Sequence, residues 1–331
     1  MPSSERSCHS EPSAPALSAG RVVVTGGAGF VGRSVVRAFL ERGTPVTTVD
    51  RRDLPESVRA AAPRDDLLTH VPGDLTDPGV REEAVRPGTA GIVHLAAITS
   101  VLRSMDRPAE TYAANVAVTQ GLLELARRRE VGQFVLASTN AVVGDVGRGT
   151  ISEGLPLRPL TPYGSTKAAC EMLLSGYAGA YGLAATALRF TNIYGPGMAD
   201  KDSFVPRLMR AALSGDGVEV YGDGSQSRDF VHVDDVVQAV LASWDKQHSG
   251  TAVIGHGRSI SVLELIRAVR EVTGEQLPVT HVPAKNGEMP AVIVDVAKAQ
   301  RELGYTPAVE LTAGLRTVWD DFRAATAVGT P

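Results

Sequence analysis

Tyr163-Gly-Ser-Thr-Lys167 sets a phenol and an ammonium four residues apart in a stretch that reads as a helix opening near Pro162, so the two side chains share one face. A phenol has a pKa of about 10, so using it as a base near neutrality costs about 4 kcal/mol at about 1.4 kcal/mol per unit. The ammonium on the same face, and a cationic ring brought alongside, would both lower that cost. Tyr163 could then take a proton from a substrate hydroxyl as a hydride leaves the carbon. Taken alone, the same spacing also suits an ordinary surface pair. A second cluster, Ser138-Thr139-Asn140, ends the apolar run VLASTNAVVG at residues 135–144. Three consecutive hydrogen-bonding groups at the end of a buried strand need partners there.

A hydride needs a carrier, and VVVTGGAGFVGRSVV supplies the loop for one. Gly26, Gly29 and Gly32 lie between a strand and a helix, with Phe30 and Val31 inside the loop as further contacts. One glycine makes the tight turn, one admits a pyrophosphate to the backbone, and one lets the helix pack on the strand and aim its positive N-terminus at the anion. Asp50 ends the next strand, where a carboxylate accepts from the adenosine ribose hydroxyls and repels a 2′-phosphate. That favours NAD over NADP. Arg51 and Arg52 follow, either as solvated loop residues or as groups able to hold a 2′-phosphate.

The elements that must position these groups are legible in the alternation of short β-branched runs with helix-length amphipathic stretches from Arg21 onward: RVVVTG, VGRSVVRAFLERG, PVTTVD, then GIVHLAA, QFVLAST and AATALRF. Runs buried on both sides indicate a parallel sheet covered on both faces. The expected fold is α/β: a doubly wound parallel-sheet Rossmann domain with a smaller C-terminal α/β substrate-binding lobe. The domain spans 21–190, with 229–250 returning to it; the lobe takes 191–228 and 251–325, with helices near 203–214, 233–245, 261–273 and 311–325. Residues 1–20 are Ser/Pro-rich with no apolar core and read as a flexible tail.

Composition narrows the function. With 33 basic and 37 acidic residues among 331 the net charge is -4, no global field for nucleic acid or an anionic membrane. Any anion must be caught locally. Cys8 and Cys170 form no CxxC or Cys/His arrangement, so neither a disulfide framework nor a metal site is expected, and a reducing cytoplasm fits. No apolar run approaches the roughly 20 residues that span a bilayer.

The glycine loop, GDLTD at 73–77, HLAA at 94–97, STNAVVG, the Tyr163/Lys167 pair, LRFTNIYGPG and GDGSQSRDFVHVDD together resemble the extended short-chain dehydrogenase/reductase family, specifically its nucleotide-sugar epimerases and dehydratases. The resemblance covers roughly residues 21–325. It implies that Asp74 and Leu75 lie beside the adenine, that Leu95, Ala96 and Ala97 follow the cofactor, and that Tyr163 and Lys167 also contact it, Lys167 at the nicotinamide ribose. It gives Thr139 the reacting hydroxyl, Asn140 and Asn192 contacts to substrate, and Arg228 the substrate diphosphate, which a guanidinium fork suits. His94 and His232 take structural parts, and Asp234 and Asp235 cap a helix beginning near Val236. Helices at 109–129 and 162–181 match those that pair in the family's homodimers.

Dehydratases of this family carry Asp and Glu after the threonine as the acid and base of elimination; here the positions hold Asn140 and Ala141. A UDP-sugar 4-epimerase needs only Tyr163, Lys167, Thr139 and NAD, oxidising C4, letting the keto-sugar turn, and reducing it from the other face. A nucleotide-sugar 4-ketoreductase, a UDP-glucuronate decarboxylase, a dTDP-glucose 4,6-dehydratase and a non-enzymatic NAD sensor are the alternatives. Val143 stands where many relatives have an aromatic, and with Arg103 it suggests room for a bulkier or charged C6 group such as a hexuronate carboxylate.

Overall fold

The computed structural model describes residues 20–284 and 289–328; the tail expected at 1–20 lies outside them except for Gly20. Seven parallel strands form one sheet in the order Gly250–Ile254, Ala184–Phe190, Gln133–Thr139, Thr89–His94, Arg21–Thr25, Val46–Asp50, Leu68–Pro72. One face is covered by the helices Phe30–Glu41 and Val233–Asp245, with Phe39 set edge-on to Trp244 at 5.3 Å. The other is covered by Val118–Arg128 and Pro162–Tyr181 through Leu122, Leu123, Cys170 and Leu174. The strand order reverses between Arg21–Thr25 and Thr89–His94, which opens a crevice at their carboxyl ends.

The smaller lobe holds the strands Asn192–Tyr194, Ser227–His232 and Ser259–Ser261, with Val218–Tyr221 paired to Val279–Val282. Helices Phe204–Ser214, Val262–Thr273 and Leu311–Val328 pack together around Leu208, Met209, Leu265, Val269 and Leu315. Of the segment expected to return to the main domain, 230–232 pairs with the lobe strand Asn192–Tyr194, the helix Val233–Asp245 covers the large sheet, and the run continues to Ile254, where Ala252, Val253 and Ile254 are fully buried against Ala184–Phe190. Among the described residues, no helix is long and apolar enough to cross a membrane.

Two local features depart from the sequence reading. The helix after Ser227–His232 starts at Val233, capped by His232, whose Nδ1 accepts from the Asp234 N–H at 3.2 Å. An imidazole with a free nitrogen acceptor does here what a carboxylate does elsewhere. Asp235 instead accepts from the backbone of Ala308 and Val309, anchoring the entry to the last helix. The long helix expected at 109–129 runs as Pro108–Tyr112 and Val118–Arg128 around a π-helical turn at Ala113–Ala117. There the Asn115 amide bonds the N–H and C=O of Ile98, at 2.8 and 3.1 Å, and donates to Thr166 at 3.0 Å. The turn thus ties this helix to the loop after Thr89–His94 and to the Tyr163 helix.

That helix, Pro162–Tyr181, begins with Thr161 accepting from Gly164 N and with Pro162 preset in the first turn. Glu171, one turn past Lys167, is clamped by Arg189 through Nε at 3.0 Å and Nη2 at 2.7 Å and accepts from Ser138. The Glu171 and Arg189 side chains are 2% and 5% exposed. Removing one charge of a buried pair strands the other, at about 3–5 kcal/mol, while replacing both by apolar groups costs far less. Arg189→Leu should therefore lower urea-unfolding stability by about 3–5 kcal/mol and the double variant Glu171→Leu/Arg189→Met should recover most of it; a single-variant loss below about 1 kcal/mol would show the pair to be poorly desolvated.

Candidate active site

The glycine loop is built by exclusion of side chains. Gly26 has φ 73 and a Cβ on it would press Ala96 N at 2.9 Å, while a Cβ on Gly32 would overlap the Gly26 carbonyl oxygen. Asp77, Ser100, Thr161 and Ser261 cap their helices with side-chain oxygens, but Gly29 has none to offer the helix Phe30–Glu41. The N–H groups of that first turn stay available, together with the positive end of the helix dipole, to an anion. Asp50 accepts from Ala28 N at 3.1 Å and Arg52 N at 3.0 Å, which fixes its carboxylate at the strand end.

Gly26, Gly29, Phe30, Val31, Gly32, Asp50, Asp74, Leu75 and Leu95 through Ala97 all line one cavity of about 490 Å³. Arg51 lies 3.6 Å from Asp74, a pair largely open to solvent, and Arg52 lies 3.8 Å from Asp50, whose side chain is mostly buried. A second cavity of about 820 Å³, lined by Tyr163, Asn192 and Arg228, meets the first at Thr99. Asn192 donates to the Asp229 carbonyl at 2.9 Å. Arg207 and Arg210 also line this cavity. Nothing in the sequence marked them, because a helix with basic residues three apart reads as a solvated face.

Arg103 and Val143 line neither cavity. Arg103 is paired with Glu110 at the surface, and Val143 is 3% exposed, packed with Val142, Ile151 and Ala168. Thr139, Asn140 and Lys167 likewise line neither cavity.

At the strand end Thr139 hydrogen-bonds Tyr163 and accepts from Ala141 N at 3.2 Å. Lys167 Nζ donates to the Ala137 carbonyl at 2.9 Å. Asn140 is 6% exposed, and among the described residues neither atom of its amide has a partner. Burial pushes the Tyr163 pKa up to about 12, with the Thr139 hydrogen bond working the other way. Lys167, bound to a carbonyl, is not among the groups that shift it, so the protein alone moves the phenol away from a usable base rather than toward one. Burial lowers the Lys167 pKa, opposed by Cys170 and Glu171. His94 is pushed down to about 3 by burial and then by Lys167, hence neutral. It links Thr25 at 2.7 Å to Thr119 at 3.1 Å beneath the crevice. No group of three His, Cys, Asp or Glu among the described residues could hold a metal.

Residues 22–255 match the NAD dependent epimerase/dehydratase family. UDP-glucose 4-epimerase of Corynebacterium glutamicum is 33% identical over 92% of this chain and 95% of its own. dTDP-glucose 4,6-dehydratase of Streptomyces niveus is 35% identical over 89% of this chain and 90% of its own. Among solved structures, MoeE5 in complex with UDP-glucuronic acid and NAD is 36% identical, with a TM-score of 0.83 over 92% of this chain and 100% of the other. UDP-glucose 4-epimerase of Thermotoga maritima with UDP-glucose has a TM-score of 0.86 at 31% identity, over 92% and 99%. The cofactor is NAD, and the cavity beside the glycine loop has the donors and the carboxylate to hold it.

NAD bound in this cavity would bring a cationic nicotinamide, and positive charge near Tyr163 would lower its pKa from about 12. A base acts unprotonated, so the turnover rate should rise with pH below that lowered pKa and level off above it. Tyr163→Phe should cut kcat by about 10²–10⁴-fold and abolish the rising limb; a variant that keeps the limb would place the base elsewhere.

Proposed function

This chain belongs to the NAD dependent epimerase/dehydratase family, and within it we propose a 4-epimerase of a UDP-linked sugar, UDP-glucose or UDP-glucuronate. The observation that carries this reading is the strand end: Thr139 hydrogen-bonded to Tyr163, with Asn140 and Ala141 following. Epimerases and dehydratases both stand among the relatives at similar identity, so the distinction rests on these side chains. Elimination of water across C5 and C6 needs a proton donor and a base there, and an amide and a methyl group are neither.

NAD supplies the reversible hydride acceptor for oxidation at C4. Tyr163 Oη takes the C4 hydroxyl proton and returns it after the keto-sugar has turned, while Thr139 Oγ1 holds that oxygen through both halves. Lys167, one helical turn from Tyr163, holds the Ala137 carbonyl at the strand end. The Asn140 amide, next in the chain, is buried and lines neither cavity, so it stands beside Thr139 as an uncharged neighbour and not as an acid. Arg228 on the wall of the larger cavity suits a diphosphate. The helices at 101–128 and 162–181 expose Leu102, Met105, Tyr112, Met172 and Tyr181, which supports a homodimer through that face.

The test is incubation of the protein, without added reductant, with UDP-glucose, UDP-glucuronate, UDP-N-acetylglucosamine and dTDP-glucose, each followed by proton NMR. The expected product is the C4 epimer of one of the two named UDP-sugars. A 4-keto-6-deoxy sugar would establish a dehydratase, and a pentose with carbon dioxide a decarboxylase. Turnover only with stoichiometric NAD(P)H would establish a reductase. Light scattering should give twice the chain mass; a monomer at micromolar concentration would remove the dimer.

A further inference from the structure

Between the strand Asn192–Tyr194 and the helix Phe204–Ser214 the chain forms a strap that leaves the lobe, touches the glycine-loop helix, and returns. Contact is made at Gly197, whose φ is 86 and where a Cβ would overlap the Arg33 guanidinium. Its carbonyl accepts from Arg33, and its N–H donates to Asp321 of the last helix at 2.7 Å. Farther along, Arg207 grips Asp202 with two hydrogen bonds of 2.7 Å, and Arg210 donates to the carbonyls of Ala199 at 2.8 Å and Lys201 at 3.1 Å. Both arginines line the substrate cavity. Braced from both sides, the strap delivers one charged side chain to the wall of the dinucleotide cavity, Lys201.

The charges acting on Lys201 are those of Arg52 and Arg33, which repel it, and of Asp200, which attracts it. Arg33 in turn is repelled by Arg52 and attracted by Asp321 and Asp200. Arg52 lines the same cavity and donates to the Ala28 carbonyl inside the glycine loop. Cations gathered at a helix end that no side chain caps favour an anion between them. The pyrophosphate of a bound NAD would be such an anion, since a glycine loop that begins a helix is where that group is held.

We propose that Lys201 is a cofactor-holding residue, its ammonium completing the pyrophosphate site that the glycine loop begins, so that the substrate lobe takes part in retaining NAD. This rests on NAD binding alone and is independent of which sugar is turned over.

The test compares Lys201→Ala and Lys201→Arg with the unaltered protein and with Lys246→Ala, a remote exposed lysine bonded to the Glu302 carbonyl. NAD retained per chain after gel filtration is measured by acid release and chromatography, and the Kd for added NAD by calorimetry at about 0.05 and 0.5 M salt. Lys201→Ala should raise Kd about tenfold, equivalent to about 1.4 kcal/mol, with a weaker salt dependence. Lys201→Arg should stay within about twofold, since the charge is kept, and Lys246→Ala should not change. Wild-type retention by Lys201→Ala overturns the proposal. So does an equal loss in the Ala and Arg variants accompanied by a lower Tm, which would make Lys201 a structural residue of the strap.

Discussion

A carboxylate taken out of water must be paired, and the pairing of Glu171 determines where the reactive groups stand. Its two oxygens are held by Arg189 from one strand and Ser138 from the next. The helix carrying it cannot slide or roll without stranding a buried charge. One turn earlier on the same face, Lys167 is thereby brought to the Ala137 carbonyl, and one turn before that Tyr163 is brought to Thr139. Ser138, Thr139 and Asn140 divide the work at the strand end. The first locks the helix, the second meets the reacting phenol, and the third stays without a protein partner.

Burial that gives this rigidity also biases protonation. It raises Tyr163 and lowers Lys167 and His94, each toward the uncharged form. For His94 the bias is useful, because a neutral ring can join two threonines under the crevice without adding charge near the cofactor. For Tyr163 to act as the proposed base, the bias must be reversed by charge that arrives with the ligands. Acid–base power in this site therefore depends on loading rather than on the protein alone.

The two cavities differ in how they are made. The dinucleotide cavity is shaped by strand ends and by glycines that admit no side chain, whereas the sugar-side cavity is walled by the lobe's helix and strands. Thr99 belongs to both, and Tyr163 faces the second from the rigid side. Specificity can change in the lobe while the redox geometry stays with the sheet.

Five strands of the parallel sheet, the glycine turn with Asp50 at the next strand end, and the shared helix face of Tyr163 and Lys167 were legible because each depends on spacing within a few residues, whereas the edge strands Leu68–Pro72 and Gly250–Ile254 were not. A strand alternates with a period of two, a helix returns every 3.6 residues, and a tight turn demands glycine wherever it occurs. Asp234 and Asp235 were misread at this same local scale, because a histidine capped the helix and freed one aspartate for the backbone near 308. For Arg103 and Val143 the sequence left the surroundings open, since types alone do not say whether a side chain meets a cleft, a partner or the core; here one meets Glu110 and the other the core. What only the tertiary structure decided are the meetings of residues far apart in the chain, Glu171 with Arg189 and Ser138, Gly197 with Arg33, and Lys201 with the dinucleotide cavity. Those depend on the packing of whole elements, and no local period of the backbone encodes them.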